Sequence, residues 1–195
     1  MDKETLIKIL TQKDDMLKRL YLEKEKLNYY ASIDVMTGVL NRRAGLELLS
    51  REFNLSKRNR KNIVVCFTDV DRLKMINDNF GHEEGDKLLI NAAKVLRESI
   101  RKTDFIIRMG GDEFLIVFPK TIMKEVNKIW YEISNRVEKI NENNENYNFS
   151  LSYGFYEYSQ DIKKEMSIND LIVKADAEMY KNKIRKGGNL SINVQ

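Results

Sequence analysis

Two apolar runs, "FIIRM" and "FLIVF", are separated only by Gly110, Gly111, Asp112 and Glu113. The brevity of that break predicts a β-hairpin, because glycine supplies the positive φ that a tight turn requires. Adjacent acids are thereby fixed at a turn between strands. A carboxylate pair in that position calls for a chemical reason.

The segments around the hairpin predict the rest of the fold. A helix is expected over Ala44 to Lys57, and a buried strand rich in β-branched residues over Asn62 to Thr68. The stretch from His82 to Asp104 places Leu88, Leu89, Ala92, Val95, Leu96, Ser99 and Ile100 on one helical face. A further helix is expected from Ile122 to Asn141, then the alternating strand "YNFSLSYGFYEY", then a helix capped by Ser167 or Asn169. This order describes one α+β domain with an antiparallel sheet and helices packed on one face.

At 195 residues the chain suits one such domain and an appendage. The appendage is a predicted helix over residues 1–31, leaving 32–195 as the domain. Leu6, Leu10, Leu17, Leu20 and Leu27 recur at heptad spacing with Lys13 and Lys24 as polar members of the stripe. Such a seam either folds back on its own domain or pairs two chains.

Several functions are excluded early. Cys66 is the only cysteine and lies within "IVVCF", so no disulfide framework or thiolate metal site is available, and a buried thiol is expected. His82 is the only histidine, which rules out multi-histidine zinc sites. We read it as structural. The net charge of +4 is small and scattered, giving no argument for a nucleic-acid polymer or a membrane surface. No apolar stretch is long enough to span a bilayer, and the chain is expected to be cytoplasmic.

A second acidic pair, Asp69 and Asp71, closes the predicted buried strand and precedes a helix. Carboxylates and backbone carbonyls at a strand end are suitable oxygen ligands for Mg²⁺, although helix capping is the commoner use of such a pair. If the hairpin lies beside this strand, Asp69 and Asp112 or Glu113 converge, and like charges brought together usually signify a metal. Metal-bound phosphate chemistry follows from that convergence. Lys74 could add a positive charge, and the amides of Arg72 and Leu73 at the next helix's head could hold phosphate oxygens.

With "DVMTGVLNRR", "DVDRLKMINDNFGHEEGD" and "LIVKADAEMY", the hairpin turn resembles that of the GGDEF-domain diguanylate cyclases over nearly all of Asp34 to Asn189. The resemblance implies a palm-like fold related to nucleotidyl cyclases and polymerases. It implies a homodimer that condenses two GTP molecules into cyclic di-GMP and two pyrophosphates. Asp69, the Val70 carbonyl, Asp112 and Glu113 would hold two Mg²⁺ or Mn²⁺ ions per site, Asp112 also helping to deprotonate the attacking hydroxyl. Asn77 and Asp86 would read guanine, whose adjacent N–H donors a carboxylate can accept together.

The resemblance further implies that Arg101 and Asp104 form an inhibitory site for the product, five residues upstream of the glycine turn. It departs from the family pattern at "NKIRKGGN", which keeps Lys183 but has glycine where a phosphate-binding arginine is expected. Arg185 or Lys186 is the candidate replacement. Two other readings compete with an active enzyme. One is an inactive domain that binds cyclic di-GMP or GTP, and the other is an interaction module built on the N-terminal helix.

Overall fold

The computed structural model describes residues 2–144, 146–160 and 165–190, the side chains of residue 6 and of residues 187–190 excepted. Helix α1 (Lys3–Ser32) opens at Asp2, whose carboxylate accepts the Thr5 amide at 2.8 Å. There follow β1 (Leu40–Asn41), α2 (Arg42–Asn59), β2 (Ile63–Val70), α3 (Leu73–Phe80) and α4 (His82–Ser99). The hairpin is β3 (Phe105–Gly110) and β4 (Glu113–Pro119), and α5 (Met123–Asn141), β5 (Leu151–Tyr158) and α6 (Ile168–Leu190) complete the chain. Ser167 caps α6, its hydroxyl accepting the Asp170 amide while its own amide donates to the Asp170 carboxylate. Asn169 lies one residue inside that helix.

The sheet order is β1-β3-β4-β2-β5, with every pairing antiparallel except the short parallel contact of β1 with β3. All eight residues of β2 are buried. Its alternate side chains serve two cores. Val64, Cys66 and Val70 join Phe114, Ile116 and Phe118 beneath α4 and α5, whereas Ile63, Val65 and Phe67 join Leu115 and Val117 beneath α2 and α6. Helices therefore cover both faces of the sheet, which corrects the expectation of a single covered face. The physical reason lies in the unbroken apolar run of β2, which leaves neither face fit for water. Cys66 is buried as expected, and burial pushes its thiol pKa well up.

Helix α1 does not fold back on the domain. Its seam residues Leu10, Leu17, Leu20 and Leu27 are all exposed, the last to 63%. The Leu6 side chain, placed in the same seam, lies outside the described residues. Among the described residues no helix is long and apolar enough to cross a membrane.

Candidate active site

The pairing of β2 with β4 sets Asp69 directly opposite Glu113. Strand parity then decides where they point: both follow the residues that pack beneath α2 and α6, so both carboxylates face α6. Asp112 stands at the turn itself, and its carbonyl accepts the Val70 amide at 3.0 Å. Gly111 adopts φ +25°, and open space surrounds the position where a Cβ would sit.

Crowding shows in the electrostatics. Asp69 is 5% exposed, and its pKa is raised by burial and by the charges of Asp112 and Asp71, against the lowering effect of Lys183. Glu113 is raised by burial first, then by Asp112, Asp69 and Asp176. Oxygen donors that are partly desolvated and repel one another suit a hard divalent cation. Among the described residues, no three acid, histidine or cysteine side chains close into a ready-made metal cage. Asp69 instead accepts a hydrogen bond from the Lys183 ammonium at 2.7 Å.

Helix α6 is held close enough for that contact by Gly154 of β5. A Cβ there would lie 2.0 Å from the Met179 amide nitrogen and 2.3 Å from the Ala175 carbonyl oxygen, so only glycine lets helix and strand touch. Lys183 feels opposed effects: burial works against its charge, while the Asp69 bond and the Asp69, Asp112 and Asp71 charges raise its pKa. The net shift is upward.

Asp71 turns to a different task from Asp69. It is buried and accepts the Ser150 hydroxyl at 2.6 Å, the Ser152 hydroxyl at 2.5 Å and the Lys186 ammonium at 3.3 Å. Lys186 also donates to the Leu151 carbonyl. Of the two basic candidates for the missing arginine, Lys186 is thus committed to the fold, and Arg185 is the exposed one.

Directly after Asp71, Arg72 occupies the N-cap position of α3 in the left-handed region at φ 65°, and exposed Lys74 lies in the first turn. The amides of Arg72 and Leu73 stand at that helix head. Asn77 on α3 faces Gly85 on α4, where a Cβ would come within 1.8 Å of the Asn77 Oδ1. Asp86 follows Gly85 and is exposed. His82 is the first residue of α4 and exposed.

Arg101 and Asp104 lie at the other end of β3, roughly 20 Å from the glycine turn at about 3.3 Å per residue. They line a cavity of about 480 Å³ that also presents Arg51, Lys102 and Lys120. Asp104 accepts the Arg101 amide at 3.0 Å, and burial raises its pKa despite that bond and the Arg101 charge. The Arg101 guanidinium pairs with Glu125 at 3.6 Å.

Sequence reasoning missed three features: the Arg108–Asp34 pair, the serine and lysine partners of Asp71, and the charge of Asp176 acting on Glu113. The Arg108 Nε and Nη2 donate to the Gly111 carbonyl at 3.2 and 2.8 Å, and its Nη1 donates to Asp34 at 3.0 Å. Its position two residues before the glycine turn was the available signal.

Residues 31–189 match the family model described as "Diguanylate cyclase, GGDEF domain". The chain is similar to the diguanylate cyclase DosC of Escherichia coli K12, with 33% identity over 155 residues, covering 78% of this chain and 32% of that protein. It is also similar to DgcP of the same organism, 38% identical over 112 residues, covering 57% of this chain and 33% of DgcP. The chain thus spans about a third of the length of these curated relatives. Among solved structures, the coiled coil and GGDEF domain of DgcB from Caulobacter crescentus, in complex with c-di-GMP, superposes with TM-score 0.78 at 25% identity. That match covers 94% of this chain and 96% of the other. The diguanylate cyclase SiaD of Pseudomonas aeruginosa, in complex with its activator SiaC, gives TM-score 0.75 at 27% identity, covering 93% of this chain and 68% of SiaD.

Proposed function

The chain belongs to the GGDEF diguanylate cyclase family, and from that premise we propose that it condenses two GTP molecules into cyclic di-GMP with release of two pyrophosphates. The observation that carries this reading is the β2–β4 register, which sets Asp69 opposite Glu113 with Asp112 beside them. Asp69, the Val70 carbonyl, Asp112 and Glu113 would hold Mg²⁺ or Mn²⁺, two ions per site. When bound, these ions neutralise phosphate charge and help to generate the attacking alkoxide.

The chain's own groups divide the remaining work. Asn77 and Asp86 would accept and donate to the guanine edge, Asp86 taking the two adjacent N–H groups that adenine lacks. The Arg72 and Leu73 amides, Lys74, Lys183 and Arg185 would bind phosphate oxygens. Asp112 would take up the proton of the 3′-hydroxyl that attacks the α-phosphate of the other GTP. Two P–O bonds form and two break, so each GTP loses one pyrophosphate.

One subunit supplies one half-site, so a homodimer is required for the double attack. We place residues 1–31 as a linker helix and 32–195 as the catalytic domain, with the exposed seam of α1 serving pairing. The cavity around Arg101 and Asp104 would bind the product and slow the enzyme.

Incubation of the purified chain with GTP and Mg²⁺ tests the reading through the appearance of cyclic di-GMP. Asp112→Asn and Glu113→Gln should each abolish turnover with an unchanged circular dichroism spectrum. Full activity in both variants would overturn the metal assignment. Binding of cyclic di-GMP without turnover would favour an inactive binding module, a reading that the retained acids of the turn weigh against.

A further inference from the structure

The last turns of α6 offer Lys183 and Lys186 to Asp69 and Asp71 at the end of β2, and the two ion pairs are built differently. Lys186 and Asp71 form an anchor. Its carboxylate is also held by the hydroxyls of Ser150 and Ser152, and its ammonium by the Leu151 carbonyl, so neither partner is available for exchange without loss of these further hydrogen bonds. Lys183 and Asp69 have only each other: among the described residues neither side chain makes a second hydrogen bond. The lysine side chain is 44% exposed and the aspartate side chain 8%, much as in the anchor pair, at 39% and 11%.

A half-exposed lysine held by one bond can return to water at little cost, whereas Asp69 sits buried among other acids and stays ionised most easily with a positive charge beside it. The charge need not be an ammonium. A divalent cation bound to Asp69 would satisfy the same carboxylate and repel Lys183. Close contact between α6 and β5 at Gly154, together with the Lys186 anchor, would keep the released ammonium on the rim where phosphates are expected.

We propose that Lys183 is the resident counter-ion of Asp69, exchanged for a divalent cation when nucleotide binds and passed to the nucleotide's phosphates. The proposal rests on Asp69 being a metal ligand. It makes the two loads cooperative: a metal ion alone must compete with Lys183, whereas a metal ion arriving with phosphates gives the displaced ammonium a new partner.

The test is direct titration of the metal-stripped full chain with Mn²⁺ alone, read by the electron paramagnetic resonance of the free ion. Lys183→Met should bind Mn²⁺ roughly tenfold more tightly than the native chain, because one competing positive charge is gone. Lys183→Arg should bind as the native chain does. In chelator, Lys183→Met should melt at a lower temperature than native and regain the difference when Mn²⁺ is added. Adding GTP should tighten Mn²⁺ binding by a larger factor in the native chain than in Lys183→Met.

Lys186→Met provides the contrast, with loss of thermal stability and no gain in Mn²⁺ affinity. Equal or weaker Mn²⁺ binding by a folded Lys183→Met, with the native chain binding Mn²⁺ and forming cyclic di-GMP, would overturn the exchange and leave the proposed function standing. A native chain that neither binds Mn²⁺ nor forms product would remove both.

Discussion

Arg108 reaches back 74 residues in sequence to Asp34, with Nη1 3.0 Å from Oδ1, while the rest of its guanidinium grips the Gly111 carbonyl. One side chain thereby ties the exit from α1 to the turn that carries Asp112 and Glu113. Asp34 is itself fixed by the amide and hydroxyl of Thr37, at 2.9 and 2.6 Å.

From this link follows an acid-stability prediction. Burial tends to raise the Asp34 pKa, but the Thr37 bonds and Arg108 outweigh it, and the net shift is downward. The folded protein therefore binds a proton there less readily than the unfolded chain, so the contribution is present above the unfolded value of about 3.9. It is lost as pH falls through the lower folded value. Thermal melts between neutral and acid pH should show Asp34→Asn less stable by about 1–2 kcal/mol at neutral pH. The difference should shrink at the acid end of the series.

Gly85 gives a prediction about recognition. A methyl group there would meet the Asn77 carboxamide at 1.8 and 2.9 Å, and that side chain can rotate away where backbone could not. Gly85→Ala should therefore misplace Asn77, the side chain proposed to read guanine. The expected loss is about 1–3 kcal/mol of recognition, a factor of roughly 5–150 in KM for GTP. Circular dichroism should stay close to native. An unchanged KM would remove Asn77 from the base-reading site.

What the sequence revealed and what it hid divide along a physical line. The hairpin, the amphipathic face of α4 and the buried β2 were legible because each is written in adjacent residues: glycine at the turn, Leu88 to Leu96 at helical spacing, "IVVCF" without a polar break. That last run also carried the sign of two covered faces, since a strand with one wet face alternates. Asp71 and Asp34 were not legible in this way. Their distant partners lie 79 to 115 residues away for Asp71 and 74 for Asp34, and only the tertiary fold brings them together. Lys186, a candidate phosphate ligand by position, is drawn to Asp71 for the same reason.

If the cavity beside β3 holds the product, as proposed, pH should control its grip. Burial lifts the Asp104 pKa above the ordinary carboxylate value of about 3.9. Only the ionised form can accept the guanine N–H pair, so binding should weaken as pH falls through that raised value. Calorimetric titration with cyclic di-GMP at a series of pH values from neutral downward should show this decline. Asp104→Asn, which accepts through one oxygen only, should bind weakly at every pH and release the enzyme from inhibition without lowering its initial rate.

The exposed seam of α1 bears on the proposed homodimer. Leu10, Leu17, Leu20 and Leu27 remain open to solvent along a helix of 30 residues, which would be about 45 Å long at 1.5 Å per residue. Burying apolar side chains of this size is worth about 1.5–3 kcal/mol each, ample to bias association even after the entropic cost of pairing is subtracted. If that seam joins two chains, the specific rate of cyclic di-GMP formation should be constant down to low protein concentration and then fall as dimers separate. Deleting residues 1–30 should shift the fall to higher concentration by roughly tenfold or more, each 1.4 kcal/mol of lost pairing accounting for one factor of ten. Sedimentation velocity on both chains should show the same displacement. An identical concentration profile after deletion would mean that the catalytic domains meet through their own surfaces and that α1 serves another partner.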